Sequence, residues 1–397
     1  MGAVRRTSPA DVLRNDRKFL GRTEEPEALE IVAAEGSRVR DARGRTFIDF
    51  QMGWCVGNLG WNPPEIVARI QRFRGPYYVS PKAVYAPWTR LAEGLVDIAP
   101  GKLEYAYRCV GGSEAVELAL QLAFTATGRS KIISLEGAYH GNTFGARSVG
   151  EGDLDAKLAG MKKLAPPLDA DALERLETLL KHNDVAALIM EPISMNLNVL
   201  VPESDFMREL IPLCHRYGAL VIFDEVACGF GRTGKLFAAE HWHAEPDIMC
   251  VAKALSSGIA PIASTLATAD VADAAKGELS FYSTFGWMPL ATEAALGTLA
   301  YWRTKGDSLL ENIAERSTQL RHGLTEIFDD AELRIHGLAV AVGLDDKERA
   351  ARITKRCKDH GLLLGEEEDF LLMWPALTVD EPTAAKALEI IETAARR

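Results

Sequence analysis

The sequence predicts an α/β fold in which a mostly parallel central sheet is covered by helices on both faces. Between about residues 100 and 270, short apolar segments with little alternation recur, and helical segments separate them. Apolar strands without alternation are typical of a sheet buried on both faces, and helices are the usual connections between parallel strands. After about residue 290 the pattern becomes mainly helical, which indicates a second, smaller lobe of helices and strands.

The elements follow in chain order. The first 30 residues indicate an irregular lead-in or a short helix, and residues 37–50 a small hairpin with a glycine-containing turn. The predicted strands of the central sheet are 103–109, 131–135, 186–190, 220–223, 248–252 and 262–266. The predicted helices include 113–124, 203–216, 289–303, 308–327 and 381–396, with a strand-like stretch at 333–344.

Composition excludes several classes of protein. The chain has 397 residues and a formal net charge of −11, so it lacks the positive charge that a nucleic acid or an anionic membrane attracts. We expect neither a membrane-spanning segment nor a signal peptide. The six cysteines are scattered without a CxxC pair, which favours reduced, buried thiols over a disulfide framework or a zinc site. A cytoplasmic protein is expected.

A pair of glycines precedes the first helix of the central region. Gly111 and Gly112 stand between a predicted strand and a predicted helix, and Ser113 can cap that helix. Glycines allow a ligand to approach the backbone closely, and the N–H groups at a helix N-terminus favour an anion. The pattern indicates either a phosphate site or an ordinary tight turn.

Charged side chains end two of the apolar strands. Asp224 and Glu225 follow one strand, and because successive residues point to opposite faces, only one of them can enter a given pocket. Lys253 follows the segment 248–252, where loss of solvent would make its amine nucleophilic. The plainer alternatives are an aspartate that caps the next turn and a lysine that extends to solvent.

An aromatic pair follows the strand that ends near residue 135. Tyr139 and His140 precede Gly141, and together they could form a wall for a planar ligand. A hydrogen-bonded structural histidine is the equally plausible alternative.

The glycine-rich segment 229–234 matches the dinucleotide motif GxGxxG. A helix should begin within such a motif, but Lys235-Leu236-Phe237 and a loop with histidine and tryptophan follow. The helix dipole that would hold a pyrophosphate is therefore not predicted, and a nicotinamide dehydrogenase is disfavoured.

Taken in order, these motifs resemble the class III aminotransferases, which are pyridoxal 5′-phosphate (PLP) enzymes of fold type I. The resemblance covers about residues 47–377, and its most specific part runs from Glu191-Pro192 through Asp224-Glu225-Val226 and the segment 229–234 to Lys253. The segments 283–286 and 289–291 match a further family signature. The resemblance implies a large PLP-binding domain, residues 56–290. It also implies a small domain built from an N-terminal segment, residues 1–55, and a C-terminal segment, residues 291–397.

The resemblance also implies a role for each site residue. Lys253 would hold the cofactor aldehyde as a Schiff base and move the substrate proton, and Asp224 would pair with the pyridine nitrogen. Gly112 and Ser113 would donate hydrogen bonds to the phosphate. The remaining implied contacts are Tyr139 and Val226 on the two ring faces, His140 beside them, Glu191 near the phenolic oxygen, and Thr284, which would reach the phosphate of the neighbouring subunit in a homodimer. Trp54 would be a substrate-pocket aromatic, although a core tryptophan is the alternative.

Three positions depart from the family pattern. Ala227 replaces the usual glutamine that contacts the phenolic oxygen. Leu372 stands where members that act on 2-oxoglutarate have an arginine, and Asn196 where ornithine-like members have the glutamate that masks this arginine. We therefore expect that the enzyme does not bind 2-oxoglutarate or glutamate through the usual contact.

The leading interpretation is a PLP-dependent aminotransferase that acts on a primary amine or amino-bearing small molecule and a carbonyl acceptor in two half-reactions. The alternative on the same fold is a PLP-dependent isomerase, either an epimerase or racemase or an aminomutase. A non-catalytic interaction protein is disfavoured, because it would have no reason to retain both Lys253 and Asp224.

Overall fold

The computed structural model describes residues 9–151 and 157–396. Near its N-terminus the chain forms a helix, α1 (Pro9–Phe19), and then strands β1 (Ile31–Glu35), β2 (Arg38–Asp41) and β3 (Thr46–Asp49). β2 and β3 pair antiparallel, with Val39 opposite Phe47, which confirms the predicted hairpin.

The remaining elements have the following bounds. The helices are α2 (Met52–Cys55), α3 (Pro64–Gln71), α4 (Ala86–Ile98), α5 (Gly112–Thr127), α6 (Phe144–Val149), α7 (Ala170–Leu180), α8 (Ser204–Arg216), α9 (Ala269–Ala275), α10 (Pro289–Ile327), α11 (Lys347–Asp359) and α12 (Glu381–Ala395), with short 3-10 helices at Ala238–Trp242 and Lys253–Ser256. The strands are β4 (Leu103–Cys109), β5 (Lys131–Leu135), β6 (Met161–Leu164), β7 (Val185–Met190), β8 (Leu220–Asp224), β9 (Ile248–Val251), β10 (Ala263–Thr268), β11 (Glu332–His336), β12 (Ala339–Gly343), β13 (Leu362–Leu363), β14 (Gly365–Glu367) and β15 (Phe370–Met373).

The central sheet has seven strands in the order β4-β10-β9-β8-β7-β5-β6. Strands β5 to β9 pair in parallel, and β10 is antiparallel to both of its neighbours, so the predicted mostly parallel sheet is confirmed. Sequence patterning missed β6, whose two central residues are Lys162 and Lys163. β6 is an edge strand, and charged residues are common on such strands because one side is unpaired.

Both faces of this sheet are buried, which explains why its strands lack alternation. Ile132, Ala187 and Ile222 pack on one face against α5, while the adjacent residues Ile133 and Leu188 pack on the other face, in a cluster that includes residues of α7 and α8. Successive strand residues therefore enter separate apolar layers.

The C-terminal third differs from the prediction in two respects. The two helices predicted at 289–303 and 308–327 are one helix, α10, because Gly306 lies inside it without breaking it. A helical glycine is unfavourable by about 1 kcal/mol, and packing outweighs this here, since α10 lies against α3, α4 and α12. The strand-like stretch 333–344 is a hairpin of β11 and β12 that turns at Gly337, where φ is +58°.

Two smaller sheets lie outside the central one. β13 pairs in parallel with β3, so a C-terminal strand completes the N-terminal sheet. The other has the order β11-β12-β15-β14. The division of the chain at residues 55 and 290 stays a prediction.

In the described ranges, each helix is either too short or too polar to cross a membrane. The six cysteines are unpaired and buried, as predicted.

Candidate active site

A cavity of about 430 Å³ lies at the carboxyl ends of the parallel strands. Eight of the ten predicted site residues line it: Gly112, Ser113, Tyr139, His140, Glu191, Asp224, Val226 and Lys253. Ligands of open α/β sheets bind at this edge, so the topology brings together residues that are up to 141 positions apart, from Gly112 to Lys253.

One end of the cavity is formed by the N-terminus of α5. The first amide in the helical ladder is that of Ala115, which donates to the Gly111 carbonyl at 3.0 Å. The amides of Gly112 and Ser113 therefore precede the helical hydrogen bonds, as expected for the first turn of a helix. The Ser113 hydroxyl accepts a hydrogen bond from the Asn142 amide at 3.0 Å. This end of the cavity is suited to an anion.

Asp224 is a buried carboxylate at the end of β8, with 4% of its surface exposed. His140 Nδ1 lies 2.7 Å from its Oδ2, and the Val226 amide donates to its Oδ1 at 3.1 Å. Sequence reasoning placed His140 beside the ring-stacking residues and did not predict this contact. His140 Nε2 is buried and has no hydrogen-bond partner among the described residues.

Lys253 follows β9 after one residue, Ala252, and begins a 3-10 helix. Its φ is +42°, and that of Ser257, four residues later, is +48°. A left-handed backbone is unfavourable by about 1–2 kcal/mol for a residue with a side chain, and such strain is concentrated at functional sites. The strained turn therefore supports a functional role for this lysine.

Glu191 is a second buried carboxylate in the cavity wall, following β7. Its Oε2 accepts hydrogen bonds from Ser194 Oγ at 3.0 Å and Asn196 Nδ2 at 3.1 Å. Burial raises the pKa of Glu191, and the charge of Asp224 acts in the same direction. Both hydrogen-bond donors are neutral, so they support this carboxyl group without adding positive charge.

Residues 19–395 match the family model described as aminotransferase class III. The chain belongs to the class III aminotransferases. Members of this family are PLP-dependent enzymes, and the recognition made from the sequence motifs is confirmed.

Similar proteins support aminotransferase activity. The chain is 31% identical over 401 residues to an acetylornithine aminotransferase of Methanosarcina mazei, covering 96% of each chain. A crystal structure of a Bacillus anthracis aminotransferase has a TM-score of 0.92 at 25% identity and covers 100% of both chains. The omega transaminase from Pseudomonas jessenii in complex with PMP has a TM-score of 0.88 at 26% identity, covering 96% of this chain and 97% of that one. None of these similarities favours the isomerase alternative.

The positions that depart from the class III pattern lie in or beside the cavity. Ala227 and Asn196 line it, and Leu372 on β15 is 2% exposed within an apolar cluster. Other members of this cluster are Cys55, Ile193, Met195, Phe370 and Trp374. Among the described residues that line the cavity, Lys253 is the only lysine or arginine.

Two predicted site residues lie outside the cavity of this chain. Thr284 is exposed, and Trp54 is 45% exposed, which does not fit a core tryptophan. Trp54 lies on α2, a single turn in which all four residues, Met52 to Cys55, have positive φ. The Trp54 and Trp374 ring centroids are 6.4 Å apart.

The glycine-rich segment 229–234 is a structural junction in this aminotransferase. Residues 226–233 form turns, and the next regular element is the 3-10 helix Ala238–Trp242, so the expected absence of a dinucleotide helix agrees with the described structure. Arg232 is fully buried and donates to the carbonyls of Leu338 at 2.9 Å and Pro375 at 2.8 Å, and to Asn58 Oδ1 at 2.7 Å. Sequence reasoning missed this role, because two of the three partners are backbone carbonyls, which have no sequence signature.

Glu225, which sequence reasoning left without a role, anchors the same region. Its fully buried carboxylate accepts hydrogen bonds from the Ala238 and Ala239 amides at 3.0 and 2.8 Å. Burial outweighs these donors and raises the pKa of Glu225 to about 7. Asp224 thus faces the cavity, whereas Glu225 points away from it and holds the segment at Ala238 and Ala239 in place.

The raised pKa of Glu225 predicts a pH-dependent stability. At a pH below the ordinary pKa of a glutamate, Glu225 is protonated in both the folded and the unfolded chain. As the pH rises towards about 7, the unfolded chain loses this proton while the folded chain keeps it, so the free energy of unfolding falls. We expect the melting temperature to fall more between about pH 5 and about pH 8 in the wild type than in Glu225→Gln. Differential scanning fluorimetry measures both. Glu245→Gln, at an exposed position, is the control and should behave as wild type; equal falls in wild type and Glu225→Gln would contradict the prediction.

Proposed function

We propose that this aminotransferase binds PLP in the cavity around Lys253 and transfers an amino group between a small amine and a carbonyl compound in two half-reactions. The observation that carries the proposal is the placement of Lys253, Asp224 and the α5 N-terminus around one cavity. These groups supply an amine, a buried acid and an anion site, each of which PLP requires.

The residues present fit this cofactor. The α5 N-terminus and the Ser113 hydroxyl provide donors for a phosphate. A Cβ at Gly112 would lie 3.1 Å from Val226 Cγ1, so a larger residue would crowd the side chain that the family resemblance places on one ring face. Tyr139 would cover the other face, and Glu191 would lie near the phenolic oxygen.

When bound, PLP supplies a ring that withdraws the electron pair left by the departing substrate proton. The Lys253 Nζ would form the covalent bond to the cofactor and, once replaced by the substrate amine, accept and return that proton. Asp224 would hold the proton on the ring nitrogen, and His140 and the Val226 amide keep its carboxylate in place. The α5 amides and Ser113 would orient the phosphate.

The proposed bond is tested by reductive trapping. After incubation with PLP and borohydride, mass spectrometry should find the adduct on the peptide that contains Lys253. Lys253→Arg keeps the charge without the nucleophilic amine, so it should lose the adduct and nearly all activity. Lys276→Ala, at an exposed position, is the matched control and should retain both. An adduct elsewhere, or activity in Lys253→Arg, would show that another residue holds the cofactor.

The cavity favours a substrate without a carboxylate at the Leu372 position. Leu372 and Trp374 are buried in an apolar cluster, and Asn196 offers a neutral amide. A bidentate arginine–carboxylate pair contributes roughly 1.5–3 kcal/mol, so its absence weakens carboxylate binding by about one to two orders of magnitude.

This proposal predicts a substrate preference that single-turnover absorption kinetics can measure. We expect n-pentylamine, which has the carbon count of glutamate but no carboxylate, to convert the PLP form at lower concentrations than L-glutamate. Rapid, saturable conversion by L-glutamate would refute the substrate assignment while leaving the PLP assignment intact. Appearance of a rearranged isomer of an amino compound, without consumption of a carbonyl acceptor, would favour the isomerase alternative.

We also propose a homodimer with shared active sites. Thr284 lies outside the cavity of its own chain, and its neighbour Phe285 is one of several exposed apolar side chains, which include Tyr78, Val84 and Tyr282. Val84 is 90% exposed, and the Tyr78 and Phe285 rings are 6.2 Å apart. Exposed apolar side chains that contact one another, as Tyr78 and Phe285 do, support an interaction site here.

Light scattering should therefore give twice the chain mass for wild type, with a shift towards the single-chain mass for Val84→Glu. Val201→Glu, at another exposed apolar position, is the control. If sites are shared, mixing inactive Lys253→Ala with Thr284→Ala should restore one native site per mixed dimer and raise activity above that of either variant. A monomeric wild type, or no gain on mixing, would refute the shared-site proposal.

A further inference from the structure

The segment 139–143, here called the Tyr139 loop, lies directly on the N-terminus of α5. Gly141 has φ of +126°, and a Cβ there would lie 2.4 Å from Ser113 Oγ. Only glycine allows this approach. The loop thus connects the aromatic wall of the cavity with its anion end.

Asn142 contacts both Ser113 and Tyr139, although it does not itself line the cavity. Its backbone amide donates to Ser113 Oγ at 3.0 Å, and its side-chain Nδ2 donates to the Tyr139 hydroxyl at 2.9 Å. Because Ser113 Oγ accepts this hydrogen bond, its own hydrogen stays available for an anion.

The C-terminal end of the Tyr139 loop is held by hydrogen bonds that do not involve Asn142. Glu117 Oε2 accepts hydrogen bonds from Thr143 Oγ1 at 2.7 Å and from the Gly145 amide at 3.0 Å. At the N-terminal end of the loop, the Tyr139 side chain is 44% exposed, and its hydroxyl accepts a hydrogen bond from Asn142. The Asn142 side chain is therefore the group that restrains this half-exposed ring.

We propose that Asn142 is a positioning residue that holds the Tyr139 ring in place before the cofactor arrives. A ring already restrained in the free protein loses less rotational freedom on binding, so the cofactor binds more tightly. This inference rests on the proposed function, because it assumes that Tyr139 stacks on bound PLP.

A double-mutant cycle on the full-length protein tests the proposal. The apoproteins of wild type, Asn142→Ala, Tyr139→Phe and the double variant are titrated with PLP, and the dissociation constant is measured by equilibrium dialysis. Tyr139→Phe keeps the ring but removes the hydroxyl. We expect each single variant to bind PLP about twofold to tenfold more weakly, and the double variant no more weakly than either. The exposed Asn15→Ala is the matched control and should bind as wild type.

The possible outcomes separate the two proposals. If Asn142→Ala binds PLP as wild type does, or if the two single effects multiply in the double variant, Asn142 does not act through the Tyr139 hydroxyl and the inference is overturned. A lower melting temperature of the Asn142→Ala apoprotein, with an effect on PLP that Tyr139→Phe does not share, would instead show a structural role and also overturn it. If wild type binds no PLP, the proposed function fails and this inference fails with it.

Discussion

The burial of Asp224 is the constraint on which the rest of the site depends. A carboxylate that is 4% exposed loses most of its hydration, and isolated buried charges are unfavourable by several kcal/mol unless polar partners replace the water. His140 Nδ1 and the Val226 amide supply such partners, but neither is a fixed positive charge. In the proposed holoenzyme, a protonated ring nitrogen would complete this pairing. The same desolvation that makes Asp224 unfavourable alone would make it an effective partner for that nitrogen.

Strand register explains why the other charged groups lie near Asp224. Asp224 is opposite Cys250 in the β8–β9 pair, and its preceding residue, Phe223, is opposite Met190 in the β7–β8 pair. Lys253 and Glu191 each follow these paired positions within a few residues, so parallel pairing brings three ionisable side chains to one sheet edge. The proximity has an electrostatic consequence, because the negative charge of Asp224 adds to burial in raising the pKa of Glu191. A single topological feature therefore collects the groups and exposes Glu191 to the charge of Asp224.

The sequence predicted the central sheet and most of its cavity, because apolar strands and strand-end charges are local patterns. It could not predict the His140–Asp224 contact, which depends on how strands β5 and β8 are placed in the sheet. Nor could it predict the bond between Asn196 and Glu191, which depends on the conformation of the segment after β7. The roles of Arg232 and Glu225 were missed because their partners, the Leu338 carbonyl and the Ala238 amide, are backbone groups without a sequence signature. The helix α10 was predicted as two segments, whereas its contacts with α3, α4 and α12 stabilise one continuous helix.

The electrostatics of the cavity explain why Leu372 and Asn196 occur together. An arginine at 372 would enter an apolar cluster beside Trp374 and would require a buried carboxylate as its partner. A glutamate at 196 would instead lie next to Glu191, where the present amide donates a hydrogen bond, and two adjacent buried carboxylates repel each other. The absence of both charges avoids both costs, and Lys253 is then the only lysine or arginine among the described residues that line the cavity.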